Sequence, residues 1–248
     1  MTVHGTIVAA IAAVLVLSGC ATHRAADAND GAEMEDVNDP LEPVNRAFFR
    51  FNDVLDDYVF YDSARFYRDN VPPRFRNSVR NFLNNLDSPV IFANNLLQGR
   101  VEYAGLTAVR LGINSTLGFG GFADVASQMG IGRHPEDFGQ TLGVYGFGEG
   151  PYLYLPLIGP APPRDLIGLV AGYYMDPLNY VRWGEYNYLP YMRYGIDAFD
   201  VRSRNIDTLD DIERTSVDYY ASIRSLYRQT RNNEIRNGTQ DVQDLPEF

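Results

Sequence analysis

Lysine is absent from this 248-residue chain, and all 21 of its basic residues are arginine. That absence removes the phosphate-binding lysine of a P-loop and the Schiff-base nucleophile. A single cysteine, Cys20, leaves no internal disulfide and no thiolate zinc cluster, and three histidines (His4, His23 and His134) leave little for a metal centre. Positive charge is scarce beside 32 acidic residues and a formal net charge of −11, so the clustered cations that nucleic-acid binding needs are missing. The apolar run Ile7 to Leu17 stops at eleven residues, too short to span a bilayer.

What is present points to a boundary. The chain has 17 tyrosines and 14 phenylalanines, and tyrosine, apolar in its ring and polar at its tip, suits interfaces that are dry on one side and wet on the other. Ile7 to Leu17 has the length of a secretory h-region. Leu17-Ser18-Gly19-Cys20 then looks like a bacterial lipobox, in which small residues precede a cysteine that is diacylglyceryl-modified, freed by cleavage and N-acylated. Residues 1–19 are thus expected to be a removed signal peptide and Cys20 the lipidation site. The alternative is an ordinary signal peptide with an unrelated cysteine; the leader departs from the pattern in having no Arg or Lys between Met1 and Thr6. Two or more acyl chains anchor stably where one does not. Ala21, where an aspartate would favour retention in the inner membrane, resembles outer-membrane cargo. Residues 20–38 read as the lipidated N-terminus and a flexible tether, residues 39–238 as one helical membrane-associated domain, and residues 239–248 as a polar, disordered tail.

Within the domain, Asp39-Pro40-Leu41-Glu42 reads as a helix start, with Asp39 as cap and Glu42 at the capping-box position. Val44, Phe48, Phe51, Leu55 and Tyr58 follow as one apolar stripe. Phe75, Val79, Phe82, Leu83 and Leu86 form a second stripe after Pro72-Pro73. Asp87-Ser88-Pro89 predicts the restart of a helix that Gly99 closes, and Val101 to Leu117 predicts another with Val101, Ala104, Ala108 and Leu111 on one face. Tyr194 to Arg204 and Ser216 to Asn233 also read as helices, the last ending at Gly238.

The 44 residues from Phe138 to Val181 carry only four charges, Glu149, Arg164, Asp165 and Asp176. Five prolines between positions 151 and 163 prevent a spanning helix, yet the stretch is too apolar for a solvated loop. It is either buried as a core hairpin around Tyr152 to Leu157 or in contact with a membrane. The glycines 139, 143, 146, 148 and 150 do not make a dinucleotide fingerprint, because Pro151 follows where a helix would have to open. Gly118, Gly120 and Gly121 read as a tight turn before a short helix, with Asp124 as a solvated or capping acid. His134 reads as an exposed histidine in a polar turn: no Gly-x-Ser-x-Gly elbow and no second domain histidine accompany it.

Phe138-Gly139-Gln140-Thr141-Leu142-Gly143, then Tyr145-Gly146, Gly148, Gly150-Pro151-Tyr152-Leu153, Leu155-Pro156, Gly159-Pro160 and Arg164-Asp165, is similar to the signature of the MlaA (VacJ) lipoprotein family. The match continues upstream through Asp39-Pro40-Leu41-Glu42, Asn45-Arg46, Phe51-Asn52, Asn81-Phe82, Gln98-Gly99, Asn114, Gly118-Gly120-Gly121-Phe122 and Asp124-Val125-Ala126. It covers about residues 38 to 235; the C-terminal helical part agrees only in general pattern. The resemblance implies a mainly α fold: a ring-like bundle of amphipathic helices embedded in one membrane leaflet, with a short irregular or β-hairpin segment. It implies an amphipathic channel through which phospholipids misplaced in the outer leaflet pass to a periplasmic carrier of the Mla pathway. Trimeric outer-membrane porins are the partners it implies, with no cofactor and no hydrolysis by the lipoprotein.

A lipid passage needs polar groups for the headgroup while the tails stay in apolar surroundings. The channel candidates are the glycine-rich turn (Gly118, Gly120, Gly121 and Phe122) and the neutral middle (Gly143, Tyr145 and Gly146), with Phe51 and Asn52 on the first helix as a gate-supporting pair. Phe51 also reads as core and Asn52 as a solvated helix residue. Two other function classes stay open: a structural outer-membrane lipoprotein that scaffolds a porin without conducting lipid, and a periplasmic lipid hydrolase.

Overall fold

Prolines set where many of the helices begin. In the computed structural model, which describes residues 38–181 and 188–237, Pro43, Pro73, Pro163 and Pro190 each occupy the first turn of a helix, where an amide hydrogen is not needed. The expected leader, Cys20, the tether up to residue 37, Gly238 and the tail lie outside the described residues. Helix α1 (Glu42–Leu55) runs through a π-helical turn (Asp56–Phe60) into α2 (Tyr61–Asn70); α3 (Pro73–Leu97) and α4 (Val101–Thr116) follow, then the short α5 (Val125–Gln128) and α6 (Phe138–Val144). Strands β1 (Tyr154–Leu155) and β2 (Gly159–Pro160) pair antiparallel, Tyr154 opposite Pro160. Helix α7 (Pro163–Met175), a 3₁₀ turn (Pro177–Tyr180), α8 (Leu189–Arg204), α9 (Ile206–Thr215) and α10 (Tyr219–Ile235) complete the domain. The protein is mainly α with one small hairpin.

The contacts between elements close on themselves. α1 leads through the π turn to α2, α2 packs on α8, α8 on α3, α3 on α6, and α6 on α7 and α10. The hairpin and α10 return to α1, where Phe49 meets the rings of Tyr154, Tyr219 and Tyr220 edge-on at 5.1–5.6 Å. α4 packs along α3.

Around this circuit the usual distribution of polarity is inverted. Among the described residues, seventeen polar or charged side chains are buried against eleven apolar ones, whereas a water-soluble domain buries chiefly apolar residues. On α1 the buried positions are Asn45 and Phe49, while Val44, Phe51 and Tyr58 of the predicted stripe are exposed. On α4 the buried face is Ala104, Thr107, Arg110 and Asn114, and Val101 and Val109 point outward. The periodicity is present as predicted; Phe51, which also read as core, faces out, whereas Ala104 of the α4 face and Leu83 of the α3 stripe are buried. No helix among the described residues is long and apolar enough to cross a membrane.

Three local expectations are corrected. Asp39 does not cap α1 through its side chain: Leu41 is the cap residue, the Glu42 amide bonds the Asp39 backbone carbonyl, and the carboxylate instead accepts from Asn45, Tyr220 and Arg224. A buried carboxylate gains more from a guanidinium and a phenol than from one amide. The predicted restart at Asp87-Ser88-Pro89 is absent, because α3 continues through Pro89. Packing along α4 holds the helix despite the missing amide. Helix α9 fills a stretch for which no helix was predicted.

Candidate functional site

Polar residues of α3 recur at helical spacing, the partly buried Asn81 and the buried Asn85 and Ser88, with Asn84 beside them, and buried polar residues of α4 do the same, Thr107, Arg110 and Asn114. Where the two faces meet they line a narrow cleft of about 20 Å³, completed by Ile91, Asp124, Arg133 and His134. Almost every lining group can donate or accept a hydrogen bond.

The glycine-rich turn packs against the residues that line this cleft. Gly121 has φ +102° and a Cβ there would lie 2.6 Å from Cβ of Asn85, so only glycine lets the turn approach α3. Gly118 is equally confined against the Ala123 and Asn114 backbone. Asn81 donates to the Phe122 carbonyl at 3.4 Å, and Phe122 stacks on Phe82 with centroids 4.7 Å apart. Asn85 donates to Ser115 Oγ at 3.0 Å, but its own amide oxygen is buried without a partner among the described residues.

Asp124 caps α5 as predicted, accepting from the Ser127 amide at 3.1 Å, and also ties the cleft wall together. Arg110 reaches both its oxygens at 3.0 Å and Asn114 donates to it at 3.0 Å. Burial alone would raise the Asp124 carboxyl; hydrogen bonds from Ser127, Asn114 and Arg110 outweigh it and bring it down to about 2. Arg110 also donates to the Ile131 carbonyl, which fastens the loop carrying Arg133 and His134. His134 is half-buried with its ring 4.3 Å from that of Tyr103, rather than exposed as the sequence suggested.

A second charged group borders the cleft. Arg193 of α8 is nearly buried and contacts Asp87 at 3.1 Å and Asp176 at 2.6 Å. Arg133 reaches the other oxygen of Asp87 at 3.5 Å. Burial lowers the Arg133 guanidinium and raises the Asp87 carboxyl, each partly offset by the other's charge.

The remaining channel candidates lie elsewhere. Asn52 donates to the Leu155 carbonyl at 3.0 Å and accepts from the Leu157 amide at 2.8 Å, so it pins the hairpin to α1, while Phe51 is about half exposed on the outer side. Gly143 lets α6 approach α10, since a Cβ would meet the Ile235 side chain at 2.8 Å. The Tyr145 hydroxyl donates to the Leu97 carbonyl at the end of α3. Gly120 (φ +74°) and Gly146 (φ +86°) have open space around them. None of the sequence candidates lines the cleft: Gly118, Gly120, Gly121 and Phe122 pack behind its lining residues Asn114, Asn85 and Asn81, and Phe51, Asn52, Gly143, Tyr145 and Gly146 lie elsewhere. The asparagines, Thr107, Arg110 and Arg133 were missed, although polar residues at three- and four-residue steps inside otherwise apolar helices were a readable signal.

The motif residues Gly139 and Arg164-Asp165 build a clamp instead of a passage. Asp165 accepts from Arg164 at 3.1 Å, from Tyr227 at 2.6 Å and from Arg231 at 2.9 Å, and Arg231 also contacts Asp137 at 2.6 Å. Gly139 leaves room for it: a Cβ would sit 2.5 Å from the Arg231 guanidinium. Asp53, Asp56, Asp57, Asp210 and Glu213 surround an open depression of about 370 Å³ with Arg202 and Arg214.

The family described as MlaA lipoprotein matches residues 37–234. The chain is 33% identical over 248 residues to the intermembrane phospholipid transport system lipoprotein MlaA of Haemophilus influenzae, covering 98% of this chain and 96% of that one. It is 35% identical over 227 residues to the protein of the same name from Escherichia coli K12, covering 90% and 85%. A solved structure reported as "Structural basis for maintenance of bacterial outer membrane lipid asymmetry" superposes with a TM-score of 0.72 at 34% identity, covering 79% of this chain and 98% of that chain. With its closed circuit of helices, its outward apolar faces and its small hairpin, the chain belongs to the MlaA lipoprotein family.

Proposed function

We propose that this chain is a lipid-anchored outer-membrane lipoprotein that takes phospholipids misplaced in the outer leaflet and passes them inward to a periplasmic carrier, without hydrolysing them. The relatives are named for intermembrane phospholipid transport, and one observation of this chain carries the reading: apolar faces point outward from a closed circuit of helices whose inner faces are polar. Such a body is stable in hydrocarbon, where apolar exposure costs nothing and buried polar groups need partners inside. Acyl chains can remain against the outward apolar surfaces or the surrounding leaflet while a headgroup exchanges its water for the asparagines and arginines of the cleft. The turn at Gly118 to Phe122 supports one wall of that passage from behind, Gly143, Tyr145 and Gly146 brace the ring away from it, and Asn52 with Phe51 holds the hairpin as a gate. Acylation at Cys20 after removal of residues 1–19 keeps the body in one leaflet, a trimeric porin steadies it there, and transfer runs down the lipid gradient to the carrier.

The test is the outer-leaflet phospholipid content of cells lacking the chain, measured with a membrane-impermeant amine-reactive label. The content is expected to rise on deletion, to return with the wild-type chain, and to stay high with Cys20→Ala. An unchanged content in the deletion, with the porin still co-purifying, overturns transport in favour of a scaffold.

A further inference from the structure

Carboxylates hold most of the arginines of the domain, and the exceptions are not scattered at random. Arg46, Arg110, Arg202 and Arg231 each meet an aspartate at 3.0 Å or less. Arg50, Arg74 and Arg76 make no ion pair among the described residues. Arg50 stands alone on α1, where its Nε donates to the Arg46 carbonyl at 3.4 Å. Arg74 and Arg76 are kept together by the chain, since both lie in the first turn of α3, which holds no acidic residue. The Nε of Arg76 donates to the Val71 carbonyl at 3.1 Å, which draws its guanidinium back to the corner between α2 and α3. Arg74 is exposed and forms no hydrogen bond among the described residues. The acid at the end of α2, Asp69, is already taken by Arg68 at 2.9 Å and by Arg65 at 3.8 Å. The same corner carries aromatic rings on its outside: Phe66 is 68% exposed and Phe75 67%, with Asn70, Pro72 and Pro73 exposed between them.

We infer that this corner, Arg74 and Arg76 with Phe66 and Phe75, is a docking surface for anionic phospholipid, the guanidiniums on headgroup phosphates and the rings against the first carbons of the acyl chains. The inference rests on the reading of the domain as a body lying in one leaflet, and it adds which edge of that body meets the headgroups. A guanidinium without a counter-ion is costly in hydrocarbon, so the corner has to reach headgroup depth. Two exposed phenylalanines beside it are costly in water, so it does not rise beyond that depth. The layer where phosphates overlie acyl chains satisfies both demands. A guanidinium there meets a phosphate through two parallel N–H bonds. Charge sharpens the choice of lipid. The chain as a whole, at a formal net charge of −11, is repelled by an anionic leaflet. Contact with such a leaflet therefore needs a local surplus of positive charge, which Arg74 and Arg76 supply because no carboxylate of the fold neutralises them.

The experiment uses the full chain reconstituted into bilayers of phosphatidylcholine and phosphatidylglycerol. A fluorophore is placed on Asn70→Cys in the corner and, in a second preparation, on Val109→Cys on the outward face of α4, with the unsubstituted chain as the labelling blank. Brominating the acyl chains of one lipid at a time turns the quenching at each position into a preference between the two lipids. Phosphatidylglycerol is expected to be preferred at residue 70. Arg74→Gln, which breaks no contact within the fold, is expected to cut that preference by about fivefold, the effect of one cation at an anionic surface. Arg74→Gln with Arg76→Gln is expected to bring it to parity, and Arg74→Lys with Arg76→Lys to keep it. None of these changes is expected to alter the quenching at residue 109. The urea midpoint of each variant checks the fold, and Arg74→Gln carries the test if Arg76→Gln disturbs the corner. No preference for phosphatidylglycerol at residue 70, or one that survives Arg74→Gln unchanged, overturns the docking surface. Quenching at residue 109 but not at residue 70 places the corner against water or protein and overturns the docking surface while the leaflet reading stands. No quenching at either position overturns that reading and the docking surface with it.

Discussion

The clamp between α6, α7 and α10 and the cleft between α3 and α4 are built from the same side chains, arginine with aspartate, yet the two regions treat them differently. In the clamp the groups are matched: Asp165 accepts from Arg164, Tyr227 and Arg231, and Arg231 divides itself between Asp165, Asp137 and Glu234. In the cleft they are left short: Arg133 has one distant acid and Asn85 has an idle oxygen. Saturated networks close a structure, because removing any member leaves a buried charge or dipole exposed to low dielectric. Unsaturated ones border water and can accept a guest without first breaking a bond to the protein. The same chemistry therefore serves closure where it is complete and passage where it is not.

That contrast can be broken or sharpened by measurement. Asp165→Asn removes the charge that two nearly buried arginines share and is expected to destabilise the folded state by about 3–5 kcal/mol, read as the urea midpoint in mild detergent. An unchanged midpoint would mean the clamp does not close the domain. Asn45→Ala leaves the Tyr152 carbonyl and the Tyr154 amide unpaired in the interior, at a cost of about 2–3 kcal/mol. Hydrogen exchange at the Tyr154 amide should accelerate accordingly. Acid should act on the cleft wall next. The Asp124 carboxyl sits at about 2 in the fold against an ordinary 3.8, so its contribution is complete above about pH 4 and disappears as pH falls through about 2. Roughly 2 kcal/mol should be lost across that window, and Asp124→Asn should flatten the profile there. The smallest effect is expected at Arg133→Gln, which should move the midpoint by less than about 1 kcal/mol because the residue satisfies nothing buried. A loss as large as that of Asp165→Asn would erase the distinction between the two regions.

Much of the fold was legible because prolines, glycines and helical spacing act locally. The helical content, the hairpin around Tyr152 to Leu157 and the cap at Asp124 all follow from short-range rules. What could not be read was which side of each helix faces in. Periodicity shows that two faces differ, and Val44, Phe51 and Tyr58 do share a side. Assigning that side to the core assumes water outside, and here Asn45 takes the inner position with Phe49. The cleft was missed for the same reason, since Asn85, Arg110 and Asn114 look like solvated positions until the surrounding medium is considered. Asp39 and Pro89 were misread because distant partners, Arg224 and α4, outweigh the local rule.

The stem of the hairpin has a mechanical consequence. Asn45 and Asn52, two turns apart on α1, both hold its backbone, and the Asn38 carbonyl accepts from the Tyr152 amide at 2.8 Å while its side chain donates to the Gly150 carbonyl at 3.1 Å. Tension applied to the chain ahead of Asn38 is therefore borne first by the strand leading into the hairpin, and α1 and the hairpin move as a single lever whose free end is Leu157 and Ile158.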